Sequence, residues 1–115
     1  MNLEQLESLV IQALEDLKGK DIKVLDVAAL TSMTDKMVIV SGTSNRHVKA
    51  LANNIVMDAK KAGTQPVGVE GDDVGEWVLV DLGDLLIHVM LPEIRGFYDI
   101  ERLWSQPAFD DESEA

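Results

Sequence analysis

Apolar positions along the chain switch between a three-to-four-residue period and a two-residue period, and each switch marks an element. Leu3, Leu6, Val10, Ala13, Leu14 and Leu17 recur at helical spacing, which places one apolar stripe on a helix from about Asn2 to Lys18. Asn2 has the side chain of an N-cap, and Gly19 is the expected stop. Ile22 to Val27 and Met37 to Ser41 then read as strands, separated by a loop from Ala28 to Asp35. After Gly42-Thr43-Ser44 the helical period returns. Val48, Leu51, Ala52, Ile55, Val56 and Ala59 form the buried stripe of a second helix that Gly63 ends, with Arg46, His47, Lys49, Lys60 and Lys61 on its wet side.

Gln65 to Val69 reads as a short third strand, and Gly71 to Gly75 as a polar turn. Glu76 to Met90 then has the alternation of a β-hairpin around Gly83-Asp84. Its two faces differ. Val78, Val80, Leu85, Ile87 and Val89 form an aliphatic set suited to packing under helices, whereas Trp77, Leu79, Asp81, Leu86, His88 and Met90 share the opposite side. That second set is expected to face outward, and a tryptophan and a methionine beside polar groups suit protein docking better than a reaction centre. Pro92 marks the exit from the last strand, and Ile94, Phe97, Ile100 and Trp104 predict one short terminal helix.

The element order is therefore α, β, β, α, β, β, β, α. A strand–helix–strand crossover requires a parallel pair and the hairpin an antiparallel one, so an α/β (α+β) fold with a mixed five-stranded sheet is expected. Three helices for five strands place the helices mainly on one face and leave part of the other open. A single domain over residues 1–104 and a flexible acidic tail over 105–115 complete the expected layout.

Composition narrows the function classes. No apolar run approaches the ~18 residues of a membrane span, and the first residues lack a basic-then-apolar leader pattern, so a soluble, cytoplasmic protein is expected. Cysteine is absent, which removes disulfides, thiolate metal sites and cysteine nucleophiles. The formal charge is −11. Asp110, Asp111, Glu112 and Glu114 contribute four of those charges, and without them 17 acidic residues still face 10 basic ones. Such a surface repels phosphate backbones, so direct nucleic-acid binding is not expected as the main activity and a basic protein partner is favoured.

The candidate chemistry is thin. Ser41 to Ser44 form a small polar loop between a strand and a helix, a setting in which exposed amides hold phosphate. Transferase chemistry also needs paired carboxylates for magnesium. Asp81 and Asp84 straddle a turn, Asp72 and Asp73 lie in a loop and Glu70 stands alone, so helix capping by Thr43 or Ser44 is the simpler reading. His47 is expected on a solvated helix face. His88, central in the last strand, is open between a hydrogen-bonded structural role and a partner contact. Neither histidine has metal-ligand spacing to a second ligand. Trp104 ends an apolar stripe and reads as packing, and Trp77 as a partner contact.

Several runs together carry a family resemblance: Leu25-Asp26-Val27, Thr34-Asp35, Ser41-Gly42-Thr43-Ser44 with Arg46-His47-Val48, and Pro66 through Glu70-Gly71. They continue with Glu76-Trp77-Val78-Leu79-Val80-Asp81-Leu82-Gly83-Asp84, His88-Val89-Met90, Arg95 with Phe97-Tyr98, and Leu103-Trp104. In this order, from about Leu3 to Trp104, the chain resembles the Iojap-related family of ribosomal silencing factors. The resemblance implies a nucleotidyltransferase-like fold without transferase chemistry. It also implies a translational repressor that binds the large ribosomal subunit through ribosomal protein L-fourteen and blocks joining of the small subunit, chiefly under nutrient limitation.

By the same resemblance the Trp77 strand and the hairpin face contribute to that contact. The face pattern adds Leu79, Asp81, His88 and Met90, and Asp84 joins Asp81 as a match for a basic partner. On this reading there is no catalytic residue, cofactor or metal, and the protein is a monomer or weak homodimer. The alternative is a nucleotide-binding or nucleotidyltransferase-like enzyme using the Ser41 to Ser44 loop.

Overall fold

The computed structural model describes residues 1–105. Helix α1 (Leu3–Asp16) opens on a reciprocal cap: Asn2 Oδ1 accepts the Gln5 amide at 2.8 Å and Gln5 Oε1 accepts the Asn2 amide at 3.0 Å. The helix closes at Asp16, two residues earlier than the apolar stripe suggests, and the left-handed residue is Lys18 (φ 61°). Gly19 serves space instead. A Cβ there would lie 2.8 Å from Val40 Cγ2 and 3.2 Å from the Leu14 carbonyl oxygen.

The strands are β1 (Lys20–Asp26), β2 (Lys36–Ser41), β3 (Gly68–Glu70), β4 (Trp77–Asp81) and β5 (Leu85–Met90), and helix α2 (Asn45–Lys61) joins β2 to β3. They form one mixed sheet in the order β1-β2-β5-β4-β3. The parallel pair is β2 with β5, from Lys36↔Leu85 to Ser41↔Met90, while β1–β2, β4–β5 and β3–β4 are antiparallel. The α2 crossover therefore carries the chain past two strand positions that the later hairpin fills. At the hairpin turn Gly83 takes φ 88°, Asp81 Oδ1 accepts its amide at 2.8 Å, and the Leu82 amide donates to the Leu85 carbonyl at 2.9 Å.

One sheet face carries Val38, Val40, Val78, Val80, Leu85, Ile87 and Val89, all buried against Leu6, Val10 and Leu14 of α1 and Val48, Leu51, Ile55 and Ala59 of α2. This is the main core. It confirms the aliphatic face of the hairpin as the one under the helices.

The opposite face differs from expectation. The predicted terminal helix is two short ones, α3 (Pro92–Tyr98) and α4 (Ile100–Ser105), broken at Asp99, whose φ of 49° and ψ of 45° are left-handed. Aspartate tolerates that conformation better than most residues, and its amide closes α3 on the Arg95 carbonyl at 2.9 Å. The break divides the stripe. Ile94, Ile100 and Trp104 pack on a second, smaller core of Val27, Met37, Ile39 and Met90, whereas Phe97 turns away and is 80% exposed. Helices thus lie on both faces, with α1 and α2 on one and α3 and α4 over part of the other. The acidic stretch 106–115 lies outside the described residues. Among the described residues no helix is long and apolar enough to cross a membrane.

Candidate functional site

The register Trp77↔Met90, Leu79↔His88, Asp81↔Leu86 puts all six residues of the expected second face on one side of the sheet. Their exposure is graded. Trp77, Leu79, Asp81 and Leu86 are half-buried and Asp84 at the turn is exposed, but His88 is only 8% exposed and Met90 is fully buried. The expectation that His88 and Met90 face outward is corrected: Ile94, Ile100 and Trp104 of α3 and α4 pack over the cluster that holds Met90, and the Trp77 ring lies against His88.

Trp77, paired with Met90, sits at the covered end of the face. Its indole Nε1–H donates to His88 Nδ1 at 2.9 Å, its ring lies 4.9 Å from that of Tyr98, and Tyr98 in turn meets Phe97 edge-to-face at 5.0 Å. A row of three aromatic rings therefore runs from the sheet onto exposed α3. The indole N–H is a donor only, so His88 Nδ1 is the acceptor and the ring proton sits on Nε2. That Nε2 is buried with no hydrogen-bond partner among the described residues. Burial pushes the His88 pKa down from 6.5 to about 4, which keeps the ring neutral at physiological pH.

A buried arginine holds α3 and α4 in place. Arg95, 7% exposed, donates from Nε and Nη2 to the two carboxylate oxygens of Glu101 at 2.8 and 3.2 Å, and from Nη1 to Ser41 Oγ at 2.9 Å. The pair is bidentate and spans the α3–α4 break, and its third bond anchors both helices to β2. Hydrogen bonding from Arg95 draws the Glu101 carboxyl below its usual range.

The Ser41 to Ser44 loop is engaged within the protein. Ser44 Oγ caps α2 by accepting the His47 amide at 3.1 Å. The Thr43 amide donates to His47 Nδ1 at 2.8 Å, so Nε2 carries the ring proton and donates to the Leu17 carbonyl at 2.7 Å. His47 is therefore a bridge from the start of α2 to the end of α1, and not the solvated side chain expected. Gly42 is confined too, since a Cβ there would lie 2.8 Å from Val48 Cγ2. Among the described residues no three His, Cys, Asp or Glu side chains gather as a metal site.

A family model described as "Ribosomal silencing factor during starvation" matches residues 1–115. The chain belongs to the ribosomal silencing factor family. It is 52% identical over 111 residues to a ribosomal silencing factor of Chromobacterium violaceum, covering 95% of this chain and 91% of that one. A crystal structure of a C. violaceum protein superposes with a TM-score of 0.89 at 51% identity, covering 97% of this chain and 95% of that one. A mouse relative, "Mitochondrial assembly of ribosomal large subunit protein 1", is 39% identical over 90% of this chain, which spans 47% of the mouse protein. Family membership supports a ribosome-associated silencing role.

Within this silencing-factor fold, sequence reasoning missed Tyr98 and misplaced Phe97. The available signal was local: two adjacent aromatic residues between Gly96 and Asp99 on so short a helix cannot both point into one core. The sequence assigns Arg95 no role, because its partners Ser41 and Glu101 are brought to it only by the fold.

Proposed function

We propose that this chain represses translation by binding the large ribosomal subunit through ribosomal protein L-fourteen, obstructing the surface that the small subunit must occupy, especially when nutrients are limiting. The observation that carries the reading is the aromatic row Trp77–Tyr98–Phe97 set on the same sheet face as Leu79 and Asp81. Large apolar groups that stay exposed on a folded chain suit an interface centre, and Asp81 with Asp84 supplies an acidic rim for a basic partner. Exclusion needs only bulk in the right place, so no catalytic group is involved. Met90 acts from below, as packing under α3, and not as a contact.

Co-sedimentation with isolated large subunits, followed by addition of small subunits, tests this. Phe97→Ala is the cleaner probe, since an 80% exposed ring contributes little to folding. It should leave the thermal transition in place while weakening large-subunit binding and restoring subunit joining. Trp77→Ala should weaken binding by about 2 kcal/mol, roughly thirtyfold. Unchanged binding in both variants would exclude this face.

A further inference from the structure

His88 lies where a pure core residue would have been the simpler solution. It is central in β5, paired across to Leu79 on one side and to Ile39 on the other, and only 8% exposed. A leucine would fill such a site without a polar atom. The histidine leaves a buried Nε2 with no partner among the described residues, and burial opposes its charged form. The first works against stability at neutral pH, and the second does so in acid. One group benefits, the Trp77 indole, whose N–H finds its acceptor at 2.9 Å with the two rings 5.9 Å apart and tilted by 46°.

We propose that His88 is a positioning residue for docking: its Nδ1 fixes the Trp77 indole so that the ring surface, and not the indole N–H, meets the partner. This rests on the docking reading given above. The chemistry is specific. Trp77 has one donor, and His88 already satisfies it, so the partner supplies no acceptor at this point. With Tyr98 packed 4.9 Å away, the indole is held from two directions and its loss of freedom is met before binding. The matching group on the partner is an aliphatic side chain, or the stem and charge of a lysine or arginine lying on the ring. A cationic match agrees with Asp81 on the same face.

The test separates the two ring nitrogens. In His88→Asn the amide oxygen falls near the position of Nδ1, whereas in His88→Gln it falls near Nε2. Two readouts are taken on each full-length variant: solvent exchange of the Trp77 indole proton by NMR, and affinity for isolated large ribosomal subunits by co-sedimentation. The wild type should show a slowly exchanging indole proton. His88→Gln should exchange fast and bind roughly tenfold more weakly, and His88→Asn should recover both properties. Wild-type protection or affinity in His88→Gln overturns the positioning role. A folded His88→Asn with a fast-exchanging indole or weak binding overturns it as well, so the result stands even where the glutamine variant fails to fold. Failure of the wild type itself to bind large subunits overturns the docking reading and the role built on it. The indole exchange rates would still report whether His88 holds Trp77.

Discussion

Glu101→Leu is expected to lower the unfolding free energy by about 3 kcal/mol, because it strands the Arg95 guanidinium, which is buried and would keep only its bond to Ser41. The reverse deletion is milder. In Arg95→Met the aliphatic stem is retained, and the carboxylate left behind is 25% exposed and can be hydrated. The loss there should be about half as large. Urea melts of the two variants measure the difference. An equal loss in both would mean that the roof over the second face rests on apolar packing of Ile94, Ile100 and Trp104, with the ion pair contributing no more from one side than from the other. Since α3 carries Tyr98, either substitution should also loosen the Trp77–Tyr98 contact and weaken large-subunit binding.

The second large effect is on acid stability. His88 holds its proton less tightly folded, with a pKa of about 4, than unfolded, where 6.5 applies. The unfolded chain therefore takes up protons first as the pH falls. The stability conferred by the neutral ring is fully present above pH 6.5, is lost through the interval down to about 4, and changes no further below it. The gap corresponds to about 3 kcal/mol. Glu101 also loses its advantage in acid, but its carboxyl is drawn downward from 4.5, so its contribution fades below that value. Of these two groups, His88 is the one that acts in the window from 6.5 to 4.5. Unfolding free energy measured across that window should fall steeply in the wild type and much less in His88→Leu. Parallel profiles would show that the imidazole is not held neutral by burial.

Much of this architecture was legible because period alone decides it. The two faces of the hairpin followed from alternation, and the stripes of α1 and α2 from spacing, so the hairpin and helix sides of the main core could be assigned from sequence. What escaped depended on partners far along the chain. Met90 was expected outside because nothing local announces that Arg95 will reach Ser41, 54 residues away, and hold Ile94, Ile100 and Trp104 over it, and His88 because its contact with the Trp77 ring forms only across the folded hairpin. His47 was expected in solvent because its acceptor is the Leu17 carbonyl, 30 residues earlier. Gly19 was read as a helix stop by residue type, while Lys18 took the left-handed position and Gly19 was needed for its lack of a side chain against Val40. In each case the missing information was a tertiary contact, whereas the shared sheet face of Trp77, Leu79 and Asp81 in β4 needed only the two-residue period and was found.

The parallel pairing of β2 with β5 bears on how the protein comes into being. Its partners lie 49 residues apart, as in Lys36↔Leu85 and Ser41↔Met90, with α2, β3 and β4 strung between them. Closing so long a loop delays folding until strand β5 arrives, because no local hairpin can substitute for that central seam. During synthesis β5 emerges after every other described strand, and α3, which carries Phe97 and Tyr98, emerges later still. The proposed docking surface is thus completed only after the central seam of the sheet, and on that proposal a nascent chain that ends before α3 has nothing with which to stop a ribosome.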